Sequence, residues 1–405
     1  MVELSEKGYD LCNMKLEKLP DELKQKSNLL QKSGDKHPVA IDKADADIME
    51  SFTTINEDGS KTLYSYTTPI KYVDEETNKI TFIDNTMKSA EKIEDETAFK
   101  NTANSFDLSL PKDITISIQL KNDTYSIEMT PATTEKTQSI PKQKNFEFMG
   151  QTQDVVEYTD VFGVGVNVQY SATNTGFKEN IYIEEYNGQN EFPFILEVKG
   201  ATTDTINENG EIEFTNDITG EVAFTLPKPW AADSFDGEYY DENIHFTTDC
   251  YYILEKLEGG KYLITVIINE DFLVAENTVY PVIIDPGVNF GTNSGSTYTT
   301  LTQCCGNHTG DTHTYTGKHC NVTNAESIIY INFAKNNVAN YKYINPNNIT
   351  SAKVTMNQTR SGGSYTVRSY DSNTSVSLSA ATYSTLNNNL GTQTDSITCG
   401  ANGNY

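Results

Sequence analysis

The chain has 405 residues, with 57 acidic and 30 basic side chains, a net charge of −27 and an apolar fraction of 37%. The charge is uneven, since residues 287–405 hold four acids and six bases and leave 53 acids and 24 bases, a net −29, to residues 1–286. Phosphate contacts need clustered Lys and Arg, and the only arginines are Arg360 and Arg368, so a nucleic-acid partner is not expected.

Residues 1–46 are polar, with Leu4, Leu11, Leu16, Leu19 and Leu23 irregularly spaced and Pro20 placed where a helix can begin. They read as a leader, helical or disordered. From Ser51 the pattern becomes a β-meander. Ser51–Ile55, Lys61–Val73 and Lys79–Asn85 alternate around an Asp-Gly turn and an Asn-rich turn. Further strands are expected at Ser105–Leu110, Ile114–Leu120 and Tyr125–Thr130, and together these define an acidic β-rich domain over 47–144.

A second acidic β-domain is expected over 145–286. It opens with V-V-E-Y-T-D-V-F-G-V-G-V-N-V-Q-Y (Val155–Tyr170) and closes with Y-P-V-I-I-D-P (Tyr280–Pro286). Val164, Val166, Val168 and Tyr170 alternate with small or polar residues, the period of a half-buried strand. The turn S-A-T-N-T-G then leads to F-K-E-N-I-Y-I (Phe177–Ile183), which makes a hairpin. About eight strands are expected here, among them Phe194–Lys199, Glu211–Thr215, Val222–Leu226, Tyr251–Leu257 and Lys261–Ile268. Pro227–Gly237 is expected to be a loop, because two prolines and an Asp-Gly do not suit a central strand. After Pro286 the chain turns rich in Thr, Ser, Asn and Gly. Strands are placed at Ser327–Phe333, Ile349–Thr355 and Tyr365–Tyr370 of a neutral sandwich, 287–405, that reads as truncated. The fold class is thus mainly β, a series of antiparallel sandwich or meander domains behind a leader.

The densest reactive cluster is C-C-G-N-H-T-G-D-T-H-T-Y-T-G-K-H-C, from Cys304 to Cys320. The favoured reading is a loop pinned by one disulfide, Cys304 or Cys305 to Cys320, as suits an exported protein. A metal site drawn from Cys304, Cys305, His308, His319 and Cys320 is the alternative. Its second arm is poor, since His319 and Cys320 are adjacent. Cys12 and Cys250 are read as buried thiols. Trp230 is read as a plug at the open end of a sandwich in preference to a sugar platform, and Lys178-Glu179 as a structural ion pair. Gly163-x-Gly165 lacks the third glycine and the helix of a phosphate loop. No catalytic residue and no cofactor is called for.

V-E-Y-T-D-V-F-G-V-G-V-N-V-Q-Y with G-F-K-E-N-I-Y-I resembles the segment preceding the repeats in Gram-positive wall-associated Rhs-type (YD-repeat) proteins. So does the run from T-G-E-V-A-F-T-L-P-K-P-W-A-A-D (Thr219–Asp233) to Y-P-V-I-I-D-P. Asp58–Asn85 is similar to the N-terminal β-region of the same family. In such proteins that end is followed by a DNRLRE-type domain similar to carbohydrate-binding modules, and Ser327–Phe333 and Ile349–Met356 resemble its early strands. The resemblance implies a non-catalytic scaffold of a large cell-surface or secreted bacterial protein, extracellular or wall-associated. It implies a polysaccharide or cell-wall glycan as partner for 287–405 and a longer polypeptide around the chain. A polysaccharide-degrading enzyme and the shell part of a toxin-delivery protein are the alternatives. No apolar run approaches the ~20 residues that span a bilayer.

Overall fold

The computed structural model describes residues 38–42, 49–66, 68–90, 96–133, 139–148, 151–203, 205–235 and 242–291, and seven strands between 298 and 399. The chain is mainly antiparallel β and divides into two compact units, the first holding Met1–Phe148, Thr152–Phe235 and Ile244–Thr292 and the second Met149–Gln151, Asp236–Asn243 and Asn293–Tyr405.

The first unit begins with a small layer. β1 (Pro38–Ile41), β2 (Ser51–Asn56) and β3 (Lys61–Ser65) form one sheet, and β4 (Lys71–Asp74) and β5 (Lys79–Phe82) a hairpin. Ile41, Phe52, Tyr64, Ile70, Ile80 and Phe82 make a core of their own. Phe52 stacks on Tyr64 at 4.7 Å and meets Phe82 edge-on at 5.8 Å, geometries that aromatic rings favour. The Asp74 carboxylate accepts from the Thr77 amide at 2.8 Å and hydroxyl at 2.6 Å, which holds the turn between β4 and β5. The expected single run Lys61–Val73 is therefore two strands. The expected leader also ends earlier than 46, because β1 pairs with β2. Residues 1–37 lie outside the described residues.

A two-layer sandwich follows. β6 (Asp84–Ser89), β7 (Thr97–Ala103), β8 (Asp107–Pro111), β9 (Ile118–Lys121) and β10 (Ser126–Pro131) come first. They are followed by β11 (Lys142–Phe148), β12 (Gln151–Tyr158), β13 (Val166–Ala172), β14 (Gly176–Ile183) and β15 (Glu191–Lys199). Then come β16 (Ile212–Thr215), β17 (Val222–Leu226), β18 (Trp230–Ala232), a helical turn α1 (Glu242–His245) and β19 (Phe246–Thr247). β20 (Cys250–Lys256), β21 (Lys261–Ile268), α2 (Glu270–Val274), β22 (Val282–Asp285) and β23 (Gly287–Phe290) complete it. One sheet runs β20-β21-β15-β10-β9-β8-β7-β6. The other runs β11-β12-β13-β14-β22-β18-β19, with β23 pairing with both β14 and β17 and β16 pairing with β17.

Period-two alternation decides which side chains meet between the layers. Leu108, Leu120, Phe192, Phe194, Leu196, Tyr262 and Ile264 from the first sheet and Val168, Tyr170, Ile181, Val282 and Ile284 from the second belong to one continuous core. Each fully buried side chain of this size contributes ~1.5–3 kcal/mol, so this shared core is what holds the layers together.

Two expected boundaries change. The division at 144/145 does not hold, because β10 pairs with β15 from Ser126↔Lys199 to Pro131↔Phe194, joining both sides of it in one sheet. The end at Pro286 moves to Thr292, because Gly287 and Val288 of β23 pair with Lys178 and Phe177 of β14. Eleven strands, β12 to β22, occupy Val155–Pro286 and its margins, not about eight. Pro227–Gly237 is not all loop either, since β18 sits between its prolines and its Asp-Gly and pairs with β22. Val164 leaves the strand face assigned to it and stands 85% exposed. It lies in a turn where Asp160 (φ 55), Gly163 (φ 96) and Gly165 (φ 79) adopt left-handed backbone.

In the second unit β24 (Tyr298–Thr302) pairs with β25 (Gly306–Thr309) and β28 (Ser327–Ile331). β26 (Gly317–His319) pairs with β27 (Val322–Ala325), and β29 (Tyr365–Ser372) with β30 (Leu390–Cys399). The strand expected at Ile349–Thr355 lies outside the described residues.

Candidate functional site

The segments F-K-E-N, P-W-A-A-D and V-I-I-D-P, far apart in sequence, lie on β14, β18 and β22, which are adjacent strands. Lys178 and Glu179 are consecutive, so their side chains leave opposite faces of β14. The expected ion pair is accordingly not between them. Lys178 Nζ lies 3.0 Å from Asp285 Oδ2 and 5.5 Å from the centre of the Trp230 ring, and Trp230 stacks on Phe246 at 5.5 Å. Trp230 is 9% exposed and pairs with Asp285 on the sheet. Ala231, its neighbour, is in the inter-sheet core, so the indole packs on the other face of the sheet and does not plug the sandwich.

Glu179 points inward. Its Oε1 accepts a short hydrogen bond from the Tyr170 hydroxyl, and both side chains are buried. Burial pushes the Glu179 carboxyl up to about 8, with the Asp285 carboxylate adding to the effect and the Tyr170 hydrogen bond opposing it. Burial also raises Tyr170, helped by Glu179. Asp285 is raised by burial against the opposing pull of Lys178. Beside Glu179 lies a cavity of about 10 Å³ lined by Met129, Phe194, Tyr252, Val266 and Val288. That volume takes about one water and no sugar ring.

A second buried cluster joins β18 to the chain before β22. Asp233 is fully buried, and its Oδ2 lies 2.7 Å from His245 Nδ1 and accepts from the Val279 amide at 2.9 Å. Its Oδ1 accepts from the Phe235 amide at 3.0 Å, and the Phe235 ring lies flat on the imidazole at 4.0 Å. A carboxylate that fixes an imidazole is the orienting half of a nucleophile–base arrangement. The adjacent hydroxyl, Ser234, instead donates to the Pro281 carbonyl at 2.6 Å. The cluster acts as a clasp. Asp233 donates its amide to the His245 carbonyl at 3.1 Å, and Ser234 its amide to Val279 at 2.8 Å.

Cys250 is a free, buried thiol pushed up to about 12, mainly by burial, so it is a weak nucleophile. Cys12, Cys304, Cys305 and Cys320 lie outside the described residues. His308 falls on β25 and His319 on β26, opposite Thr300 and Val322 respectively. Among the described residues no group of three or more His, Cys, Asp or Glu is placed to hold a metal, and no helix is long and apolar enough to cross a membrane. Glu179 was discoverable in the sequence, because Phe177, Glu179, Ile181 and Ile183 share one period-two face and a lone carboxylate interrupts an apolar stripe. The Asp233–His245 contact spans a loop and leaves no such periodic signal.

No protein-family model matches the sequence, and no solved structure matches it. The chain is 33% identical over 159 residues to tRNA nuclease WapA of Bacillus subtilis, covering 39% of this chain and 6% of that protein. It is 33% identical over 171 residues to tRNA(Glu)-specific nuclease WapA of Bacillus subtilis subsp. natto, covering 42% of this chain and 7% of that protein. A tRNA3(Ser)-specific nuclease WapA of Bacillus spizizenii matches equally, at 33% over 159 residues. The chain thus spans a small fraction of the length of the curated relatives it matches. Their names overturn the expectation that the protein is not an enzyme.

Proposed function

We propose that this chain is one region of a long bacterial polypeptide that cleaves tRNA, and that its acidic sandwich is a delivery or shell element of that enzyme. The observation that carries the reading is the 33% identity over 159 residues to a relative named as a tRNA nuclease. The F-K-E-N, P-W-A-A-D and V-I-I-D-P segments lie on three adjacent strands and bury their polar groups in separate structural contacts on both faces of the sheet, which suits a shell element. A net charge of −29 over residues 1–286 suits spacing and shielding better than gripping a polyanion. The Rhs-type resemblance and an extracellular or wall-associated location belong to the same reading, as does glycan binding through residues 287–405, which rests on the resemblance alone.

The test is to express the whole polypeptide that contains this chain and incubate it with total tRNA. Cleavage at defined positions, mapped by sequencing the new ends, is expected. Intact tRNA after incubation with the folded, full-length polypeptide sinks the proposal. Retention on wall polysaccharide columns tests the glycan reading separately.

A further inference from the structure

Among the described strands β20 is the edge of its sheet, paired with β21 from Cys250↔Ile268 to Lys256↔Tyr262. In an antiparallel ladder alternate residues turn their N–H and C=O away from the partner strand. An edge therefore offers a row of backbone groups to a further strand unless proline, a bulge or an inward charge blunts it. β20 has no proline, and its register with β21 is unbroken. It also shows apolar side chains to solvent, with Tyr251 48% and Ile253 50% exposed. The strip continues onto the outer face of the sheet through half-buried Leu263, Ile195 and Pro193. Around it stand exposed Glu191, Asp249, Glu255 and Glu258. Of the nearby bases, Lys261 is held by Glu197 at 3.2 Å, and Lys256 stands exposed among the acids at the end of β20.

We propose that β20 is a docking edge for an extended basic segment of the same long polypeptide, contributed by the part that binds tRNA. The proposal rests on the tRNA-nuclease reading above. A part that grips tRNA must gather Lys and Arg, and the acidic rim with its apolar centre complements a strand with apolar residues two apart and basic residues at its ends. The same edge of a second copy is disfavoured as occupant because it would bring Asp249, Glu255 and Glu258 against their own counterparts. The relatives are long enough to supply the segment, since the region shared with this chain is 6% of one of them.

The test is zero-length carbodiimide cross-linking of the full polypeptide, which joins carboxylates to lysines in contact, read by mass spectrometry. Glu255 and Glu258 are expected to couple to lysines of the long polypeptide outside the 405 residues of this chain, and these links are expected to disappear in Ile253→Lys and to persist in Ile253→Thr. Ile253 is half exposed, so both variants are expected to keep the melting curve of the parent. Links that survive Ile253→Lys overturn the proposal, as do links between two copies accompanied by a dimer in sedimentation. Docking and cleavage are read separately. A polypeptide that docks but leaves tRNA intact overturns the nuclease reading, and one that cuts tRNA without these links overturns the docking edge.

Discussion

Glu179 carries its proton into the fold. Its carboxyl is raised to about 8 from ~4.3 in an unfolded chain, so the fold binds the proton more tightly than the unfolded chain does. Its contribution to stability is complete below ~4.3 and is lost as pH rises to about 8. The charged groups around it are Asp285 and Lys178, with Tyr170 and Tyr252 as the neighbouring hydroxyls. We expect the urea midpoint to fall between pH ~5 and ~8. Glu179→Gln, neutral at every pH, is expected to flatten that slope and to exceed the parent at pH ~8.5 by an amount on the order of 5 kcal/mol. An unchanged slope in the variant would show that the carboxyl is not the group responsible. Asp233 accepts from two backbone amides and lies 2.7 Å from the His245 imidazole. Asp233→Ala strands those donors in the interior and is expected to cost about 3 kcal/mol in thermal or urea melts.

Strand β14 is the element on which the second sheet turns. It pairs with β13 along its length, with β22 at its C-terminal half and with β23 at its N-terminal half. The Glu179 amide donates to Pro286 at the break between those two partners. Two strands share one edge of β14 because Gly176 lets the β23 backbone come close, and a Cβ there would overlap the Val288 carbonyl. Gly176→Ala is therefore expected to unfold the sandwich or weaken it by several kcal/mol, which circular dichroism would register as lost cooperativity. Gly188→Ala has no neighbour to meet but sits at φ 93 and is expected to cost about 1 kcal/mol. Sequence reading found β14 because its apolar residues alternate strictly. It missed β18, whose three residues are too few to show a period. It also missed that Val164 belongs to a turn, because the left-handed glycines beside it interrupt the strand without breaking the alternation of valines.

For the whole molecule, the mainly β fold was legible in the spacing of turn residues and alternating runs, but the partnership of the strands was not. The break in charge at Pro286 came within a few residues of the structural end at Thr292, because composition tracks which chain packs against which. The division expected at 144/145 rests on a polar stretch, and polarity in a connector says nothing about which strands it brings together. Expressed alone, residues 145–292 lack β6–β10, five of the eight strands of one sheet, and with them Leu108, Leu110, Leu120 and Ile127 of the shared core. We expect that fragment to aggregate or give a collapsed amide spectrum, whereas residues 38–292 are expected to give a dispersed one. A well-folded 145–292 fragment would show that β6–β10 are dispensable to the rest of the sandwich.

The pairing of β10 with β15, and the location of β22 at the centre of the opposite sheet, also set an order in time. A ribosome or an export channel delivers β6–β10 early, yet the sheet that covers their apolar faces is not complete until β22, with Val282 and Ile284, has emerged. Contacts this distant along the chain form slowly. The early strands must therefore stay open, or be held open, for most of the synthesis of the unit. A chain that is late to close is one that can still be threaded.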